Sequence, residues 1–230
     1  MATSADTTKE RLRGAAFGIL REKGLAAASA RGISAAAGVN QALIFYHFGT
    51  VAELIEEASN EAVDRSIAGY HDRFAQVRSL ADLLEVGMRV HEEERRRGHV
   101  AVMAQLMAGA QHNPVLARAS RYAVGLWTAQ IREVLDRVLA DTPAGELLDS
   151  ADLAAAVSAG FVGIELLHGV DPRSAELAFA SLERLNSLIT TVNGLAPTTQ
   201  AALRVAARRL GSRAVREAPS GGAQPENDAR

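Results

Sequence analysis

Ser29-Ala30-Arg31-Gly32-Ile33-Ser34-Ala35-Ala36-Ala37-Gly38-Val39-Asn40-Gln41-Ala42-Leu43-Ile44-Phe45-Tyr46-His47-Phe48 reads as two very short helices separated by a Gly-Val-Asn turn. That is the pattern of a helix-turn-helix. Ser29 is placed to cap the first helix, Ile33 and Ala37 supply its buried side at i,i+4, and Gly38 supplies the left-handed residue that ends it. Asn40 caps a second helix that begins at Gln41. Helices this short do not hold in water by themselves, so a neighbouring helix must pack against them.

The flanking sequence provides one on each side. Thr7-Thr8-Lys9-Glu10 has the spacing of a capping box, and Leu12, Ala16, Ile19 and Leu20 then make one apolar face up to Gly24. Downstream, Thr50-Val51-Ala52-Glu53 is a second capping box opening a long helix through Leu54, Ile55, Ala58, Ala62, Ile67, Tyr70 and Phe74. A boundary near Thr50 is therefore expected to be a stiff mechanical connection. Further helices are expected at about 79–94, 98–110, 114–140, 150–168 and 172–191; Asn113-Pro114 and Asp171-Pro172 mark two starts by a capping side chain before a proline. Period-two, β-branched runs are lacking, so the fold class is all-α. The expected organisation is a small unit over 1–50, a larger helical bundle over 51–216 and a disordered tail over 217–230, with a basic helix from Thr198 to about Val215.

Composition narrows the function. The net charge of -2 over 230 residues argues against non-specific coating of nucleic acid, but residues 1–50 hold six Lys or Arg (Lys9, Arg11, Arg13, Arg21, Lys23, Arg31) against three acids (Asp6, Glu10, Glu22), a local balance of 6 − 3 = +3. Cysteine is absent, which removes disulfides, thiolate nucleophiles and sulfur-based zinc sites. No apolar run is read as reaching the roughly 18 to 20 residues that span a bilayer, and the N-terminus has no apolar signal segment, so a cytoplasmic protein is expected. His91-Glu92-Glu93-Glu94 with His99 matches no chelating spacing and reads as a solvated helix end. No metal and no cofactor are expected. Gly-rich phosphate loops and His-Glu-x-x-His are missing, so no enzyme is expected either.

Residues 8–55 resemble the DNA-binding domain of the tetracycline-repressor (TetR) family of transcriptional regulators, through Ala15-Ala16, Glu22-Lys23-Gly24, Ile33, Ala37-Gly38-Val39, Phe45-Tyr46-His47-Phe48 and Glu53-Leu54. Beyond residue 55 the likeness is one of helix length and order. Two positions depart from the family: Phe45 stands where tyrosine is common and Val51 where lysine is common. Both positions usually contact phosphate in the family, and neither side chain present here donates a hydrogen bond.

The resemblance implies operator recognition by the second short helix. Gln41 at its head has an amide suited to both edge atoms of adenine, and Ala42 and Leu43 suit a thymine methyl. Asn40 is mainly a cap. Phe45 reads equally as a DNA contact or as core. Tyr46, His47 and the amides at the Thr50 helix start are candidates for gripping phosphate, with Arg31 and the basic residues of the first helix adding attraction.

Because one helix-turn-helix reads few bases, a homodimer on palindromic double-stranded operator DNA is expected. The small residues Ala156, Ala159, Gly160 and Gly163 permit close approach of one late helix, and Leu182, Leu185 and Ile189, with Ala180, supply bulk from the next. The resemblance points to the same pair as a four-helix interface. Burial inside one chain is the alternative.

Met88, Met103, Leu106, Met107, Tyr122, Trp127 and Phe161 give the middle helices apolar material suited to core or to a small-molecule effector site. Gln105, Gln111, His112 and Glu165 need partners if buried, and Glu165 is expected to pair with His168 three residues on. The expected function is a ligand-responsive transcriptional regulator, a repressor released from its operator by a small molecule. The alternative is a constitutive DNA-binding protein or adaptor.

Overall fold

The computed structural model describes residues 4–140, then 142, 145, 148–196, 198, 199, 201, 202 and 205, without the side chains of 4, 185, 186, 189, 190, 192 and 193. The elements in order are α1 (Ser4–Lys23), a 3-10 turn (Leu25–Ala27), α2 (Ala30–Ala37), α3 (Ala42–Phe48), α4 (Val51–Ala75), α5 (Leu80–Arg96), α6 (His99–Ala110), α7 (Pro114–Leu139), α8 (Ser150–His168) and α9 (Pro172–Asn193). Among the described residues the fold is all-α: short N-terminal helices in a helix-turn-helix arrangement, followed by a larger helical bundle.

Side-chain caps explain where most of these helices begin. The Ser29 hydroxyl accepts from the Gly32 N–H at 3.1 Å, the Asn40 amide oxygen from Ala42 N–H at 2.8 Å, and the Thr50 hydroxyl from Glu53 N–H at 3.1 Å. Each such cap is worth about 1 kcal/mol. Asn113 does the same for Val115 and Leu116 just ahead of Pro114. Gly38 ends α2 at φ 62°, ψ 41°, in the left-handed region a side chain rarely adopts.

The first helix begins earlier than the Thr7 capping box indicates. Ser4 already lies in α1, which puts Thr7 inside the helix and not at its start. The 3-10 turn carries no sequence periodicity and went unforeseen. Most of the basic helix placed at 198–215, and the whole tail at 217–230, lie outside the described residues.

Two apolar cores sit on either side of the midpoint of α4. The first joins Leu12, Ile19 and Leu20 of α1, Ile33 of α2, Ile44 and Phe48 of α3 and Leu54 and Ile55 of α4, and it continues into Val102 and Leu106 of α6 and Leu116 of α7. The second gathers Tyr70 and Phe74 of α4 with Leu83 and Val90 of α5, Val134, Leu135 and Leu139 of α7 and Ala154 of α8. Burial at both ends of one helix couples the two cores mechanically.

One expectation fails in α8. By length and composition this 19-residue helix is apolar enough to cross a membrane, contrary to the reading that no such run exists. Alanine and glycine make it apolar without bulk, which is why it escapes a search for large side chains. Leu166 and Leu167 near its end are exposed, and so are Val170, Leu177 and Leu188 beyond it.

Candidate nucleic-acid interface and ligand cavity

α3 has a buried and an open side. Ile44 and Phe48 point into the first core, and Leu43 packs against its edge. Gln41, Ala42, Phe45 and Tyr46 are exposed, at positions i, i+1, i+4 and i+5 that share one face. Phe45 is 49 % exposed and Tyr46 81 % exposed, so Phe45 is not core. His47 is half-buried, its ring edge-on to Tyr46 at 4.9 Å. Arg31, Asn40 and Thr50 are exposed around the same surface, with the Asn40 amide and the Thr50 hydroxyl engaged as caps.

Three basic residues of α1 also engage neighbouring helices. Arg11 donates to the carbonyls of Ala37 at 2.5 Å and Gly38 at 3.2 Å, fastening the end of α2 to α1. Arg13 lies 2.6 Å from the Glu61 carboxylate of α4, and the Lys9 ammonium stands over the Phe48 ring. These three contacts tie α1 to its neighbours within the same chain.

A cavity of about 490 Å³ lies within the bundle. Met103, Met107, Trp127, Phe161 and Glu165 line it together with Phe74, Leu83, Val90 and Leu135. Three candidates lie elsewhere. Gln105 accepts a 2.6 Å hydrogen bond from the Leu25 N–H and so belongs to the junction of α6 with the 3-10 turn. Tyr122 is exposed, its hydroxyl donating to Asp64 at 2.7 Å, and Met88 is half-buried on α5 outside the cavity wall. Gln111 and His112 are exposed.

Glu165 is not paired with His168. Its Oε2 lies 3.0 Å from His91 Nε2 of α5, and both side chains are nearly nine-tenths buried. The two atoms are close without being aligned for a hydrogen bond, and neither has another partner. The His91 ring stands beside Phe161 at 5.8 Å and Phe179 at 5.3 Å.

The run His91–Glu94 is likewise not a solvated helix end. Leu83, Gly87, Val90 and Glu94 recur at i, i+4, i+7 and i+11, so the apolar stripe of α5 ends on Glu94, with His91 beside Val90. Glu94 is 6 % exposed and accepts from Ser66 at 2.8 Å, Tyr70 at 2.9 Å, Arg97 at 3.0 Å and, on the same side, lies 2.7 Å from His99 Nδ1. Burial disfavours its charged form, yet the bonds from His99 and Ser66, with the others, outweigh burial and hold its carboxyl below the usual range. The Tyr70 hydroxyl is pushed well above its ordinary value by burial and by the adjacent Glu94. Among the described residues no cluster is arranged to hold a metal ion.

His99 also reaches the N-terminal helices: its ring stands edge-on to Phe17 of α1, 5.2 Å between centroids, and both residues line the cavity. Neither was singled out for the cavity from sequence, nor were His91, Glu94 and Ser66. The stripe position of Glu94 was the one available signal.

Ala156, Ala159 and Gly160 are exposed on α8, with Gly163 and Leu182 half-buried. A Cβ added at Gly160 or Gly163 would meet nothing within 4 Å among the described residues. Ala156, Gly160 and Leu182 also border the cavity. The side chains of Leu185 and Ile189 lie outside the described residues.

Comparison with known proteins fits this geometry. An HTH-type transcriptional regulator of Mycobacterium tuberculosis, itself uncharacterized, is 24 % identical over 185 residues, 80 % of this chain and 94 % of that one. A transcriptional regulator from Rhodococcus sp. Rha1 superposes with a TM-score of 0.63 at 26 % identity, covering 85 % of this chain and all of that one, 100 %. GusR of Salmonella enterica gives a TM-score of 0.62 at 22 % identity, covering 84 % of this chain and 98 % of its own. Residues 12–58 match the model of the bacterial regulatory proteins of the tetR family, a span that holds the helix-turn-helix and the start of α4. Over residues 12–58 the chain carries the helix-turn-helix domain of the bacterial regulatory proteins of the tetR family.

Proposed function

We propose that the protein is a ligand-responsive repressor that binds palindromic operator DNA as a homodimer and is released by a small molecule entering the bundle. The open face of α3 supports the first part, because Gln41, Ala42, Phe45 and Tyr46 present amide, methyl and aromatic groups suited to base edges and phosphates. Arg31, His47 and the amides at the Thr50 helix start complete the docking surface. Asn40 serves the cap.

The exposed small and apolar residues of α8 and α9 support dimerisation through that pair of helices. Ala156, Ala159, Gly160 and Gly163 let two backbones come close, while Leu166, Leu177 and Leu188 offer apolar area to cover. Leu182, with Leu185 and Ile189, belongs to the same proposed surface.

The observation that carries the ligand response is the position of Phe17: a residue of the DNA-reading unit forms part of the wall of a cavity large enough for a small ligand. A molecule filling the space between Phe17, Met103, Met107, Trp127 and Phe161 favours one arrangement of α1 against the bundle. It shifts operator binding by its differential affinity for the two arrangements. The test is a thermal-shift screen of small molecules, followed by fluorescence-anisotropy titration of a duplex from the region upstream of the protein's own gene. Compounds that raise the melting temperature are expected to weaken operator binding by about tenfold or more, within the usual range of coupling between sites. Stabilising compounds that all leave operator affinity unchanged would favour a constitutive DNA-binding protein.

A further inference from the structure

Among the described residues the cavity wall contains no lysine or arginine; its ionisable groups are Glu94, Glu165, His91 and His99. Charge alone makes this a poor seat for a carboxylate or phosphate, since an anion would enter a low-dielectric space already holding two carboxylates. The two carboxylates are not equivalent. Glu94 is saturated by Ser66, Tyr70, Arg97 and His99, and it ties α4, α5 and α6 together with nothing left to offer a ligand.

Glu165 is the opposite case. Its buried Oε2 has only the misaligned His91 Nε2 beside it, and that nitrogen in turn has no other partner. Buried polar atoms are nearly always hydrogen-bonded, so the Glu165 Oε2, 3.0 Å from a His91 Nε2 that is not aligned with it, is a carboxylate oxygen in an apolar wall with room for an added donor. Phe161 and Phe179 stand 5.9 Å apart and both flank the His91 ring, forming an aromatic collar beside the pair. Aromatic faces of this kind attract a cation once water is excluded.

Resting on the reading of the cavity as the effector site, we propose that it selects a lipophilic amine whose ammonium seats on Glu165 beside His91. One N–H donates to the Glu165 carboxylate, while the apolar body lies along Met103, Met107 and Trp127. Among the described residues no lysine or arginine of the wall opposes the positive charge. The lack of a side chain at Gly87 belongs to the same arrangement, because a methyl there would stand 3.3 Å from Phe161 Cζ and crowd the collar.

A matched set of probes tests this on the full chain: phenylbutylamine, phenylbutanol and phenylbutanoate share one skeleton and differ in the end group. Trp127 is the only tryptophan and lines the cavity, so its emission reports binding directly. At neutral pH the amine is expected to bind about tenfold tighter than the alcohol, with the carboxylate weakest, because the charge-assisted bond exists for the amine alone. Glu165→Gln is expected to remove the advantage of the amine while leaving the alcohol within about threefold of wild type. The ranking in the wild-type protein requires no variant to fold. A carboxylate that binds as tightly as the amine, or an advantage that survives Glu165→Gln, overturns the amine seat and leaves the cavity a ligand site of other chemistry. If none of the three changes the emission or the melting temperature, the amine seat fails together with the ligand reading on which it rests.

Discussion

His99 stands with one side of its imidazole on the ring of Phe17, 5.2 Å between centroids, and with Nδ1 2.7 Å from the buried carboxylate of Glu94. One side chain thus touches α1, which braces the helix-turn-helix, and the polar cluster that joins α4 to α5. Phe17→Ala removes the ring from both the junction and the cavity wall. It is expected to cost about 1–3 kcal/mol of stability, less than a fully buried phenylalanine because Phe17 is half-buried. Compound binding should persist while the compound's effect on operator affinity shrinks. Urea unfolding measures the first and anisotropy titration the second, and undiminished release by the variant would place the coupling elsewhere.

The Glu94 cluster predicts an acid limb of stability. The carboxyl is held below its ordinary value of 4.5 in the folded chain, so its contribution is fully present above that value and is lost as pH falls through the depressed folded value. Melting temperature measured from neutral pH downward should fall more steeply for wild type than for Glu94→Gln, which carries no titrating group there. Parallel curves would show that the cluster contributes nothing to the acid limb.

Gln105 fastens α6 to the turn after α1. Its carbonyl oxygen accepts from the Leu25 N–H at 2.6 Å, and Gln105→Ala leaves that part-buried donor without an acceptor at a cost of about 1–3 kcal/mol. Gln105→Glu keeps an acceptor and should lose less. Urea midpoints order the three proteins, and an alanine variant as stable as wild type would show water replacing the amide without cost. A sharper perturbation is Gly98→Ala, since Gly98 has φ 78° and an added Cβ would come within 2.5 Å of Arg21 Cγ. It should destabilise more than an ordinary surface substitution.

Dimerisation through α8 and α9 predicts that Gly163→Arg, placed where an added Cβ meets nothing within 4 Å among the described residues, folds but dissociates. Sedimentation velocity distinguishes the outcomes: a folded monomer agrees with the proposed interface, and a full dimer moves it to another surface.

Much of this architecture is local and was therefore legible in the sequence. Asn113 before Pro114 and Thr50 before Val51 fix helix starts through bonds to residues two or three positions away, and Gly38 fixes an end through its own backbone. The contacts that shape the cavity are of another kind. His91 and Glu165 come from α5 and α8, and Gln105 reaches Leu25 from α6, so no spacing rule pairs them. The expected Glu165–His168 pair shows the same limit: helical spacing allowed it, and the depth of His91 in the bundle decided otherwise. Arg11, read equally as a source of attraction for DNA or as solvated surface, closes the end of α2 through a contact across 26 positions.

That α3 reads DNA is the claim on which the rest depends, and Gln41 at its exposed head tests it most directly. Fluorescence anisotropy at one fixed salt concentration should compare wild type and Gln41→Ala on the duplex from the protein's own upstream region and on a scrambled duplex. Wild type is expected to prefer its own duplex, and the variant to lose about 1–3 kcal/mol of that discrimination for each bidentate contact removed, with little change on scrambled DNA. Equal affinity of both proteins for both duplexes would contradict sequence reading by this helix.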